Sequence, residues 1–201
     1  RVWSGNHSRG IPEVPMQRAL QAHLLTVITL LLPSAALALD HCKPLEHLAI
    51  TDADQPVAHC KVDGCIGRSI RFSVWLPTNW NGKFVMGGGG GFAGSLNNQA
   101  MGPGVLQRGY ATATTDTGHQ AGGIDGSWAL RDYEAIVNYG HLAVHRATVT
   151  SKAIVDDFYA RAPGASYFFG CSNGGRQALI DAQRYPDDFD AIVAGAPALD
   201  F

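Results

Sequence analysis

From Ile70 to Leu76 the chain alternates, with Ile70, Phe72, Val74 and Leu76 on one side and Arg71, Ser73 and Trp75 between them. A period of two predicts a half-buried strand. Pro77-Thr78-Asn79-Trp80-Asn81-Gly82 breaks the pattern as a loop ending in an Asn-Gly turn. Lys83 to Met86 predicts a second strand running straight into Gly87–Gly91, and Tyr110 to Thr115 a third, followed by the loop Asp116-Thr117-Gly118-His119. From Tyr133 to Tyr159 the apolar positions, Ala143, Ala147, Ile154 and Phe158 among them, take helical spacing, which ends before Pro163-Gly164. A strand over Ser166 to Phe169, a helix from about Gly175 to Arg184, a stop at Tyr185-Pro186-Asp187 and a buried strand over Asp190 to Ala194 complete the reading. Strands alternating with helices through short connections predict an α/β fold on a parallel sheet with flanking helices. Right-handed crossovers would bring the strand C-termini to one edge, where open sheets bind ligands. Neither an internal repeat nor a linker between two domains is visible.

Two segments fall at that edge. Gly170-Cys171-Ser172-Asn173-Gly174-Gly175 sits between a strand and a helix, and it fits G-x-S-x-G, the sharp turn that exposes a serine hydroxyl above a sheet. A serine held there can lose its proton to a histidine and attack an acyl carbon. Such chemistry needs N–H donors where negative charge develops. The expected donors are the backbone N–H of Asn173 and one from the loop Gly87-Gly88-Gly89-Gly90-Gly91-Phe92-Ala93-Gly94, with Gly90 and Gly91 the candidates. The competing reading of that loop is a phosphate cradle. It lacks the Gly-Lys-Ser/Thr of a P-loop, and no clean G-x-G-x-x-G with a suitably spaced acid supports a dinucleotide site.

Composition narrows the class of partner. The 201 residues carry a net charge of −2 with 16% charged residues and no basic run, which disfavours nucleic acid and anionic membrane surfaces. An apolar fraction of 46% suffices for a packed core. Met16-Gln17-Arg18, the apolar stretch Leu24 to Leu32, and Ala36-Leu37-Ala38 read as a signal peptide over 16–38, cleaved after Ala38. The apolar stretch is too short to cross a bilayer. Residues 1–15 read as upstream, non-native sequence, leaving 39–201 as the domain. Export to a secreted or periplasmic location permits disulfides among Cys42, Cys60, Cys65 and Cys171, and three full pairings are possible.

The remaining polar residues suggest little further chemistry. His119 reads as a loop histidine bonded to backbone. His141 and His145 share a helix face, but with no acid between them and no third ligand they read as packing and surface residues rather than a metal site. Trp80 and Phe92 read as loop anchors. In α/β-hydrolases the nucleophile precedes the acid, and the acid the histidine. Every histidine here precedes Ser172, so the general base is expected outside this chain. Of the later carboxylates, Asp181 lies in the helix behind the serine, Asp187, Asp188 and Asp190 lie before the next strand, and Asp200 reads as structural.

Taken together, Trp80–Phe84, Gly87–Gly94, Tyr110-Ala111-Thr112, Thr115–His119, Gly170–Ala178 and Tyr185–Ala198 resemble the tannase and feruloyl esterase family. That family includes the enzyme hydrolysing mono(2-hydroxyethyl) terephthalate. The resemblance runs in consistent order over about Cys42 to Phe201. It implies an exported serine esterase on a partial α/β-hydrolase core, with C-terminal strands and an inserted lid domain missing. Ser172 would be the nucleophile, acting on small aromatic esters or plant-polymer esters. Cys171 would pair with a cysteine following the catalytic histidine, beyond this chain, and Cys42 with Cys60, leaving Cys65 unassigned. Asn173 stands where the family often has an acid, a change that leaves a backbone donor role intact. No cofactor is expected within the chain, and the implied calcium belongs to the lid. The chain by itself is expected to be inactive, since histidine and lid are missing. Another acyl hydrolase of this fold (a polyester depolymerase or a peptidase) and a non-catalytic fragment are the alternatives.

Overall fold

The computed structural model describes residues 49–53, 57–97 and 103–199. The expectations for residues 1–38, Cys42 and Asp200 lie outside them. Seven strands form one sheet: β1 (Ala49–Ala53), β2 (His59–Ile66), β3 (Ile70–Pro77), β4 (Lys83–Gly87), β5 (Ala111–Thr115), β6 (Ala165–Cys171) and β7 (Ala191–Gly195). Their spatial order is β1-β2-β3-β5-β4-β6-β7.

The α/β-hydrolase expectation holds, but the sheet is mixed rather than parallel. β1 to β3 and the β3–β5 pair are antiparallel, whereas β5, β4, β6 and β7 run parallel. For β2 and β3 the physical reason is connection length. β2 and β3 are joined only by Gly67-Arg68-Ser69, with Gly67 at φ +60°, and so short a turn can only reverse the chain. Parallel neighbours need crossovers, and these are supplied on the C-terminal side of the fold.

The crossover elements are α1 (Pro103–Gln107), α2 (Tyr133–Val137), α3 (Ala143–Tyr159) and α4 (Asn173–Arg184). The single helix expected over 133–159 is divided, because Asn138–Leu142 forms a π-helical turn between α2 and α3. Asp132 caps α2 by accepting from the Ala135 N–H at 3.0 Å. α3 buries Ala143, Val144, Ala147, Thr148, Ser151, Ile154 and Val155, the i, i+3/i+4 stripe of a helix laid on a sheet. It ends at Ala160 in the left-handed region, φ 52°. α4 starts at Asn173, two residues earlier than the apolar pattern suggests.

One core lies between sheet and helices, built from Phe72, Val74, Leu76, Phe84, Met86, Ala111, Ala113, Phe168, Ala147, Val155 and Ala178. Phe84 pairs in register with Ala111 and Ser166, and Gly87 with Phe169. β6 runs two residues past that pair, to Cys171, so both strands finish at the same edge of the sheet. That places the glycine loop after β4 beside the serine turn after β6.

Candidate active site

β6 delivers the chain to Ser172, which adopts φ 59°, ψ −120° before α4 begins. A non-glycine residue there is strained by about 1–3 kcal/mol and persists only where its surroundings impose it. Here the Ser172 N–H donates to the Gly195 carbonyl at 3.0 Å, and the Ser172 carbonyl accepts from the N–H of Arg176 at 3.0 Å and of Ala198 at 3.1 Å. Gly170 lets the helix lie against the strand, since a methyl group there would stand 2.3 Å from the Gly174 carbonyl oxygen. Ser172 is exposed, and its side chain makes no capping bond to α4. The hydroxyl is presented to solvent at the helix N-terminus, where N–H groups are unpaired and anions are favoured.

The glycine loop abuts this turn. A methyl group on Gly88 would lie 2.6 Å from the Cα of Gly174 in the first turn of α4. Most of the loop's N–H groups are committed: Gly88 to the Phe169 carbonyl, Gly89 to Gln177 Oε1, Phe92 to Gly123, Ala93 to Gly90 and Gly94 to Asp116. Among the described residues, the N–H groups of Gly90 and Gly91 have no acceptor. At Gly90 a methyl group would meet nothing within 4 Å, so this glycine borders open space. The two glycines read from sequence are therefore the ones left with a free donor.

A polar frame holds both pieces. Asn173 is fully buried, and its Oδ1 accepts from Arg176 Nε at 2.8 Å and from the Tyr139 hydroxyl at 3.1 Å. Asp116 accepts from the N–H groups of Arg71 and Gly118, both at 2.9 Å, and from Gln120. Burial raises the Asp116 carboxyl above the usual range, with those hydrogen bonds opposing the shift. His119 Nε2 bonds to the Phe92 carbonyl at 2.8 Å and its ring stacks on Trp128 at 3.8 Å. Burial lowers its pKa, so the neutral imidazole donates to that carbonyl. Burial also raises Tyr139, which stays a phenol and hydrogen-bond donor. Tyr139, Arg176, Gln177 and Asp116 carry no role in the sequence reading. Only Gln177 left a signal: a long amide on the sheet-facing side of α4 requires a polar partner.

The other candidates sit elsewhere. His59 bonds to the Val57 carbonyl, His141 to the Tyr185 hydroxyl and His145 to Asp188, each at 2.7–2.8 Å. With His119 on Phe92, each of these four histidines has a structural partner. Trp80 is an anchor, donating to the Lys83 carbonyl at 2.8 Å and stacking on Tyr159 at 4.0 Å. Asp190 accepts from the Ser166 N–H, and Asp181 is buried inside α4. Cys60 is buried and disulfide-bonded, whereas Cys65 and Cys171 are free and exposed. Among the described residues no group of three or more His, Cys, Asp or Glu is placed to hold a metal ion. The calcium implied for the lid finds no set of ligands among the described residues. No helix among the described residues is long and apolar enough to cross a membrane.

Comparison with known proteins gives the family and the fold. The family model for tannase and feruloyl esterase matches residues 55–201. A probable feruloyl esterase from Arthroderma benhamiae is 39% identical over 165 residues, covering 78% of this chain and 30% of that protein. The mono(2-hydroxyethyl) terephthalate hydrolase of Piscinibacter sakaiensis is 39% identical over 160 residues, covering 69% and 26% respectively. The crystal structure of feruloyl esterase B from Aspergillus oryzae superposes with a TM-score of 0.67 at 29% identity, over 78% of this chain and 36% of that one. The chain thus spans 26–30% of the length of these two relatives. With a strained serine turn, an adjoining glycine loop and a match across most of its length, the chain belongs to the tannase and feruloyl esterase family.

Proposed function

We propose that this chain carries the nucleophile and the oxyanion donors of an exported serine carboxylic ester hydrolase acting on esters of aromatic acids, feruloyl and galloyl esters among them. The observation that carries the reading is the exposed Ser172 at its strained turn, against a glycine loop with two uncommitted N–H groups. In the reaction Ser172 Oγ bonds to the ester carbonyl carbon while its proton passes to a histidine supplied beyond residue 201. The carbonyl oxygen takes the negative charge and is bound by the N–H of Asn173 and that of Gly90 or Gly91. Collapse expels the alcohol, which takes the proton from the histidine. Water, deprotonated by the same base, then releases the aromatic acid.

The family relationship also supports a disulfide between Cys42 and Cys60, and one joining Cys171 to a cysteine next to that histidine. Cys171 directly precedes the nucleophile, so the second link would tie nucleophile and base together. Calcium belongs in this proposal to the lid, outside the described residues. The test is Ser172→Ala in the protein expressed from its complete reading frame, assayed on feruloyl, galloyl and terephthaloyl esters. Turnover should fall by about 10⁴-fold or more with folding preserved. Undiminished turnover would remove Ser172 from its role, and the ester panel ranks the acyl groups.

A further inference from the structure

Tyr139 stands where the two halves of the oxyanion site meet. It lies in the π-helical turn, in which the Ala143 N–H reaches back to the Asn138 carbonyl. Such a turn admits one extra residue and re-aims the side chains around it, and it recurs at functional sites. The carbonyls of Tyr139 and Gly140 accept from the Arg176 guanidinium at 3.0 and 3.2 Å, and that guanidinium lies over the Tyr139 ring at 4.4 Å. On one side the Tyr139 hydroxyl donates to Asn173 Oδ1 at 3.1 Å, alongside Arg176 Nε. Asn173 is the residue whose backbone N–H follows the nucleophile. On the other side the ring packs edge-on against Phe92 with centroids 6.3 Å apart, and against Trp128 and His119 at 5.1 and 6.0 Å. Phe92 adjoins Gly91, and His119 grips its carbonyl.

We infer that Tyr139 is the positioning residue of the oxyanion site, holding the Asn173 N–H and the Gly90–Gly91 N–H groups at a fixed separation. This rests on the esterase reading above. Two donors on different elements stabilise one oxygen only while their spacing is kept, and small misplacements cost large factors in rate. The ground-state carbonyl needs that spacing less than the tetrahedral intermediate does. Loss of Tyr139 therefore lowers kcat and leaves KM nearly unchanged.

The experiment compares Tyr139→Phe, which removes one oxygen and keeps the ring, with Tyr139→Leu, in the protein from the complete reading frame. Ser172→Ala is measured in parallel. Active sites are counted with a fluorophosphonate, so misfolded molecules drop out of kcat. With a methyl ester of an aromatic acid, kcat per titrated site should fall about tenfold for Tyr139→Phe and about a hundredfold for Tyr139→Leu, with KM within about twofold. The affinity for phenylboronic acid, which mimics the tetrahedral intermediate on serine, should fall in step. Unchanged kcat per titrated site in both variants overturns the inference, as does a fall in kcat with unchanged boronate affinity. If Ser172→Ala retains turnover, the underlying reading fails instead, so the two failures are distinguishable.

Discussion

Ser172 is held in a backbone conformation that costs energy, and Gly88 leaves room for nothing larger than hydrogen. Each has a measurable consequence. Ser172→Gly should relax the strain and raise the thermal midpoint, corresponding to about 1 kcal/mol, while abolishing turnover. Calorimetry and an ester assay check the two halves. Gly88→Ala should destabilise the protein by about 1–3 kcal/mol, because its methyl group meets backbone at 2.6 Å. Gly90→Ala opens into free space and should leave the melting temperature unchanged; equal losses in both variants would contradict this assignment of the loop. At this scale the serine turn and the glycine run were legible in the sequence, since both depend on adjacent residues. Tyr139 and Arg176 were not, because Arg176 reaches the carbonyls of Tyr139 and Gly140 from 37 and 36 positions away.

Among the elements, α4, which follows directly on Ser172, carries an unexpected titrating group. Asp181 is 1% exposed and neither side-chain oxygen has a hydrogen-bond partner. Burial pushes its pKa from 3.8 up to about 7, with Asp188 adding to the shift and Lys152 opposing it. Because the folded-state pKa is raised, the folded protein binds the proton more tightly than the unfolded chain does. This contribution to stability is fully present below about pH 3.8 and is lost as the pH rises through about 7, on the order of 4 kcal/mol in all. Asp181→Asn should therefore gain stability relative to the parent as the pH rises from 4 to 8, in urea melts at each pH. A pH-independent difference would contradict a buried, titrating Asp181. Five strands and the two long helices were legible, β3 and α3 from their periods and the others from short apolar runs between turn signals. β1 and β2 were not: β2 mixes Lys61, Asp63 and Gly64 into its alternation, and its pairing is fixed by tertiary contact with β3 rather than by local pattern. The π-helical turn was likewise hidden, since it preserves helical spacing on either side.

At the scale of the molecule, the two faces of the sheet differ. α3 and α4 cover one, while the other carries a groove of about 370 Å³ lined by Val85, Tyr110, Tyr167, Phe169 and Val193. Phe169 is 45% and Val193 55% exposed. Residues 39–201 expressed alone should therefore bind a hydrophobic dye, read by fluorescence, and self-associate, read by light scattering, and Val193→Lys should reduce both. Parallel strands read correctly from βα alternation, but the antiparallel pairings of β1 with β2, β2 with β3 and β3 with β5 did not, because only β2 and β3 are joined by a visible short turn, Gly67-Arg68-Ser69. The esterase assignment is examined most directly by chemistry at a single atom. The protein from the complete reading frame is treated with a fluorophosphonate and digested with trypsin, and the labelled peptide is sequenced by mass spectrometry. One phosphonyl group on Ser172, within the peptide Ala162–Arg176, is the predicted result. Label on another residue, with ester hydrolysis lost in proportion, would contradict the account.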